Sequence, residues 1–205
     1  ILPRFCGEYF RSLEIRKSTN TRKNYAYDLG VFFYFLKTNN PYFKDKDIHT
    51  LPIEVLDMIT AMDVEEYLSY LESYTKDGKL YTNREEGKAR KLSSLKSFYD
   101  YYFKKNLIRT NPPRQVDVPK IKNKNIIRLD PNEIAQLLDE AESGEKLSGR
   151  QLASHEKTKV RDVAILTLLL GTGIRVSECV GLNLEDVDFN NGAIRIIRKG
   201  GNEAL

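Results

Sequence analysis

Two cations set 24 positions apart, Arg175 and Lys199, are the residue types in this sequence with the most to offer chemically. Arg175 lies in Gly171-Thr172-Gly173-Ile174-Arg175-Val176-Ser177-Glu178, directly after the apolar run Val163 to Leu170. An arginine offers a planar, permanently charged fork that matches the non-bridging oxygens of a phosphate. A lysine on a turn such as Lys199-Gly200-Gly201 can protonate a leaving alkoxide, and the two together suit phosphoryl transfer. Glu178 follows one helical turn after Arg175, where a first-turn carboxylate also favours the helix dipole. Spacing alone favours an ordinary helix-helix turn with a solvated arginine, and lysine-glycine turns are common.

A second constellation lies in a long helix expected from about Arg84 to Lys105. Leu92, Leu95, Phe98, Tyr99, Tyr102 and Phe103 form its apolar face, and Arg90, Ser93, Ser94, Ser97, Tyr101 and Lys104 fall opposite. Hydroxyl groups flanked by cations suit a phosphate backbone, because the hydroxyls donate to phosphate oxygens and the cations attract it. A solvated helix face is the alternative. Lys88, Arg90, Lys91 and Lys96 cluster in this helix, and Lys120, Lys122, Lys124 and Arg128 cluster in the segment after it. Net charge is +4 with a pI near 8.9, so the basic surface is locally concentrated rather than global.

These groups need elements to position them. Phe5 to Leu13 reads as a helix, followed by one capped by Thr19 or Asn20 that carries Tyr25, Leu29, Phe32, Phe33 and Leu36. Asp63 is expected to cap a third helix with Val64, Tyr67, Leu68 and Leu71, and Asp77-Gly78 to turn the chain into the long fourth helix. Residues 1–110 are therefore expected to form an all-helical domain. Asn111-Pro112-Pro113 ends it, because proline cannot continue a helix and disfavours helix in the residue before it. Residues 111–125 are polar, basic and proline-punctuated, and read as a linker.

A second domain, 126–205, is expected to open at Ile126-Ile127-Arg128-Leu129, with a helix starting at Asp130-Pro131. Ser143 to Thr158 reads as loop. A buried helix then ends at Gly171 and Gly173, and a short helix spans Val176 to Leu182 with Arg175 at its entrance. Val187 to Phe189 and Ala193 to Ile197 read as strands around Asn190-Asn191-Gly192.

Composition narrows the function classes. No apolar run approaches the ~20 residues of a membrane helix, and no leader-like start is seen. Cys6 and Cys179 form no metal-ligand pattern; Cys179 is expected to be a reduced core thiol, and the protein cytosolic. His49 and His155 fall in expected loops and are read as surface residues. The chain opens at Ile1 and closes at Leu205 just after a strand-like run, which suggests part of a longer protein.

The ordered set of motifs resembles the tyrosine recombinases, the phage integrases and Xer-type site-specific recombinases. In the first domain the resemblance rests on Thr21-Arg22-Lys23-Asn24-Tyr25 with Asp28-Leu29 and Phe35-Leu36, on Arg90 to Tyr99, on Asn111-Pro112 and on Pro119-Lys120. In the second it rests on Arg128-Leu129-Asp130, Arg161-Asp162, Gly171 to Glu178 with Leu182, and Arg198-Lys199-Gly200. The resemblance implies a mainly α fold: a SAM-like helical core-binding domain, a linker, and the first part of an α+β catalytic domain with a small antiparallel sheet. It implies site-specific recombination of double-stranded DNA through a 3′-phosphotyrosyl link, without metal or cofactor. Arg175 would bind the scissile phosphate, Lys199 would act as general acid toward the 5′ oxygen, and Glu178 would support the site. Arg22, Lys88, Arg90, Lys91, Ser94, Lys96, Lys120 and Lys122 would contact DNA.

The family also needs a later histidine motif with a second arginine and a tyrosine nucleophile, and none of the 12 tyrosines follows Lys199. This chain is therefore expected not to recombine DNA by itself. It is expected to be a monomer, with a homotetramer on DNA for the intact protein, acting at the bacterial nucleoid. The alternatives are a recombinase-derived DNA-binding protein without catalysis, or a helical interaction protein with an incidental basic face.

Overall fold

The computed structural model describes residues 2–121, 128–198 and 201–205 of the chain. The chain divides into two units, Ile1–Asn123 and Lys124–Leu205.

In the first unit, α1 (Cys6–Leu13) buries Cys6, Tyr9 and Leu13 on one stripe. Its successor α2 (Thr19–Asn39) is capped by Ser18, one residue before the expected cap, whose hydroxyl accepts from the Thr21 backbone N–H at 3.3 Å. It turns Leu29, Phe32, Phe33 and Leu36 inward. Helix α3 (Ala61–Tyr70) starts two residues before the expected Asp63 cap. Thr60 is the cap, and Asp63, at the third helical position, closes a reciprocal box with it.

The stretch after α3 departs from the all-helical expectation. Strands β1 (Ser73–Lys76) and β2 (Lys79–Thr82) form an antiparallel hairpin, with Thr75 opposite Leu80. Asp77 and Gly78 both take positive φ, 51° and 73°, which a two-residue hairpin turn requires. A stack of Tyr70, Tyr74 and Tyr81 supports it, with ring centroids 4.9 and 5.3 Å apart. Such cross-strand aromatic support is invisible to a helical period.

Helix α4 (Glu85–Lys104) is the centre of this unit. Leu92, Leu95, Phe98, Tyr99 and Tyr102 are buried, but Phe103, expected on the same face, is exposed. The Phe98 ring meets Phe5, Tyr9, Phe33, Tyr99 and Tyr102 within 6.2 Å, mostly edge to face. The expected linker does not begin at residue 111. Pro112 and Pro113 open a buried 3₁₀ turn, Pro112–Gln115, and Val116 joins the core. Asp57 ties the chain down just before it, accepting from the Arg109 and Thr110 backbone N–H groups at 2.8 Å each.

In the second unit, α5 (Pro131–Ser143) starts where Asp130 and Glu133 form a capping box, as the Asp130-Pro131 signal implies. Helix α6 (Gly149–Thr172) takes in most of the segment expected as loop, because Ser148 and Gln151 cap it early. The two helices pack together, and His155 on α6 lies 2.8 Å through Nε2 from the Ala141 carbonyl. His155 is thus a half-buried helix contact rather than a loop residue, whereas His49 is exposed.

The helix read as buried is not: no residue of α6 is fully enclosed. Cys179, expected in a core, is likewise only half-buried. After α7 (Val176–Val180), short antiparallel pairs form between β3 (Val187–Asp188) and β4 (Ala193–Ile194), and between β5 (Ile196–Ile197) and β6 (Glu203–Ala204). The opening Ile126-Ile127 signal lies outside the described residues.

Candidate nucleic-acid interface and anion-binding turn

Arg175 owes its position to the end of α6. The helix stops at Thr172, and Gly173 takes the left-handed conformation, φ 66°, that closes a helix C-terminus cheaply. Gly171, read as part of the stop, is still helical. Two residues on, Arg175 caps α7. Its backbone N–H donates to Glu178 Oε2 at 2.8 Å, and its Nη1 donates to Oε1 at 2.7 Å. The carboxylate is thus held by both ends of one residue. Its side chain is only 6% exposed, while that of Arg175 is 67% exposed, so the acid is consumed and the guanidinium remains presented.

The Glu178 carboxyl is held below the usual value, first by the Arg175 backbone N–H and then by its guanidinium, with Arg198 adding in the same direction. Arg198 follows β5, and its backbone N–H donates to the Asn202 carbonyl at 2.8 Å. Lys199 itself lies outside the described residues, as does Lys122.

The α4 residues sort differently from their helical-wheel positions. Ser94 is not on an exposed face: it is fully buried, and its hydroxyl donates to Asp28 Oδ2 at 2.7 Å. Lys91 is also buried, with Nζ donating to Asn83 Oδ1 at 2.7 Å, and desolvation pulls its pKa down. A buried hydroxyl and a buried ammonium cannot meet a phosphate, so both are corrected from contact residues to internal ones. The reason is that α2 covers Ser94 through Asp28, and Asn83, just after β2, draws Lys91 inward.

The remaining candidates are accessible to differing degrees. Arg90 pairs with Asp28 through Nη1 and is half exposed. Lys88 pairs with Glu72 at 3.5 Å, and Arg22 with Glu14 at 3.1 Å. Lys96 donates to the Val116 carbonyl at 2.9 Å, a neutral partner that leaves its charge uncompensated. Lys120 is exposed.

A cavity of about 460 Å³ between α1 and α4 joins Lys96 to residues that the sequence reading left out of the contact set. Arg16, Ser93, Lys96, Ser97, Lys104 and Lys105 line it. Its one carboxylate, Asp100, is engaged by Arg114 through Nε at 2.7 Å and Nη2 at 2.5 Å, and by Asn111. The Arg114 pair holds the Asp100 carboxyl below the usual carboxylate range. The groove is therefore cationic with hydroxyl donors, the composition that suits a phosphodiester. Ser93, Ser97 and Lys104 were legible as a stripe on α4. Arg16, contributed by the loop after α1, required the tertiary fold. Among the described residues no cluster could hold a metal ion, and no helix is long and apolar enough to cross a membrane.

Comparison with known proteins finds relatives along most of the chain. Residues 127–205 match the phage integrase family. The tyrosine recombinase XerC of Caldanaerobacter subterraneus subsp. tengcongensis is 34% identical over 197 residues, covering 94% of this chain and 50% of the relative. The tyrosine recombinase XerS of Streptococcus mutans is 31% identical over 226 residues, covering 98% and 62%. The chain thus spans about half to three-fifths of the length of these curated relatives. The Tn1549 transposon integrase, solved in complex with a circular intermediate DNA, superposes with a TM-score of 0.59 at 20% identity, over 95% of this chain and 53% of that one. Its likeness supports the mainly helical fold with small antiparallel sheets. Residues 127–205 thus carry the phage integrase match, and along nearly its whole length the chain is similar to tyrosine recombinases.

Proposed function

We propose that the intact protein is a site-specific DNA recombinase that cleaves and rejoins double-stranded DNA through a 3′-phosphotyrosyl intermediate. The observation that carries this reading is the Arg175 turn, where Glu178 holds the guanidinium by its near edge and leaves the rest presented. A fork fixed in this way neutralises the non-bridging oxygens of a scissile phosphate without reorganising at the moment of reaction. A tyrosine oxygen attacks phosphorus, the bond to the 5′ oxygen breaks, and Lys199 delivers a proton to that leaving oxygen. The phosphotyrosyl link keeps the bond energy for rejoining, so no cofactor is required. The resemblance places the nucleophile after Lys199 in the intact protein. The first unit clamps the duplex with Arg90, Lys88, Arg22, Lys96 and Lys120, joined by the α1–α4 groove, and the functional assembly is a homotetramer on two duplexes.

Two measurements test it. The 205-residue chain should bind duplex DNA with an affinity that falls steeply with salt. A salt-independent or absent interaction sinks the DNA reading. In the full-length protein, Arg175→Ala should abolish covalent attachment to DNA while leaving binding largely intact. Covalent attachment at the normal rate would remove Arg175 from the role given to it, and a full-length protein that binds but never attaches would leave a non-catalytic DNA-binding protein.

A further inference from the structure

We infer that Asp28 is a positioning residue that presents Arg90 to a DNA phosphate, an inference that rests on the DNA-binding reading above. Asp28 lies on α2 with its side chain 2% exposed. A carboxylate taken out of water must be paired, and both donors that meet Oδ2 come from α4, one turn apart. Arg90 supplies Nη1, and Ser94 supplies its hydroxyl at 2.7 Å. The Tyr67 hydroxyl donates to the Asp28 carbonyl at 3.5 Å, so the α2 backbone is anchored at the same point.

The Arg90 side chain nevertheless stays half exposed. A guanidinium carries five N–H donors in one plane, so tying one nitrogen to a fixed acid orients the remaining donors toward solvent. A lysine could neutralise Asp28 equally well but would have no second edge to offer. The neighbouring Lys91 is buried on Asn83, so at this turn of α4 it is Arg90 whose charge reaches the surface. Asp28 thus takes the rotamer freedom of Arg90 out of the binding step, which is otherwise lost when phosphate binds.

The inference has a sign opposite to that of simple electrostatics. Asp28→Asn removes a negative charge, so charge counting predicts equal or tighter binding to a polyanion. Positioning predicts that Asp28→Asn weakens duplex binding about two- to tenfold, the range set by immobilising one flexible side chain. It also predicts that the salt slope falls by about 0.9, the share of one phosphate contact. In an Arg90→Ala background, Asp28→Asn should then do nothing further.

Binding is measured on the 205-residue chain with a duplex oligonucleotide, below the thermal midpoint of each variant. Arg90→Lys, which keeps the buried pair and the charge, serves where Asp28→Asn does not fold, and should show the same loss of affinity and slope. Wild-type binding that is matched or exceeded by Asp28→Asn, or matched by Arg90→Lys, overturns the positioning role and leaves the DNA reading standing. A wild-type chain with no salt-dependent binding overturns both.

Discussion

Phe98 and Phe103 look alike in the sequence, five positions apart on one helix, and the structure sets them far apart in energy. The Phe98 ring is 0% exposed and touches five other aromatic rings, whereas Phe103 is 44% exposed. Truncating Phe98 to alanine forfeits the transfer free energy of the ring, about 2–3 kcal/mol. It also opens a cavity, which brings the expected loss to about 3–5 kcal/mol. That is a large fraction of the roughly 5–15 kcal/mol typical of a whole domain. Phe103→Ala should cost less than about 1 kcal/mol, because alanine's higher helix propensity offsets much of the small burial lost.

The assay is urea unfolding followed by far-ultraviolet circular dichroism, since the chain contains no tryptophan. Both variants should keep the wild-type slope, and only the midpoint of Phe98→Ala should move strongly. Midpoints that shift by similar amounts for the two variants would refute the arrangement of α4 described above.

Two further outcomes follow from local geometry. Gly144 and Gly173 both close helices at positive φ, 67° and 66°, but a Cβ at Gly144 would lie 2.9 Å from the His155 ring, while one at Gly173 meets nothing within 4 Å. Gly173→Ala should therefore cost about 1–2 kcal/mol of backbone strain alone, and Gly144→Ala measurably more, by the same denaturation assay. Asp100, whose folded pKa lies below the usual 3.8 chiefly through its Arg114 hydrogen bonds, stabilises the fold fully above its unfolded value. That contribution is lost as pH falls through the lower folded value, so Asp100→Asn should flatten the decline in stability below about pH 4. An unchanged acid limb in the variant would show that the pair contributes nothing to acid sensitivity.

Much of the helical frame was legible because it follows from local rules. The apolar stripe of α2, the Asp130-Pro131 start of α5 and the Gly173 stop of α6 are each written in a few adjacent residues. The β1–β2 hairpin was missed because Tyr74 and Tyr81 stack across strands, and one-dimensional periodicity cannot see a partner seven residues away. The linker boundary was missed for a related reason: Pro112 and Pro113 read as chain breakers, yet tertiary contacts bury them.

The site divides along the same line. Residue types offered Arg175 and Lys199 as candidates, and the resemblance rather than spacing gave them and Glu178 their roles, because a charged fork at a helix entrance also fits an ordinary turn. The box that joins Arg175 to Glu178 needs two intervening residues and little else. Which cations of the first unit face outward was not determined at that level. Ser94 and Lys91 share a helix with Arg90, and only contacts with Asp28 of α2 and with Asn83 place those two inside while Arg90 stays half out. Burial depends on neighbours distant in sequence. Asp28, 62 residues before Arg90, accordingly emerged as Arg90's partner only in the folded structure.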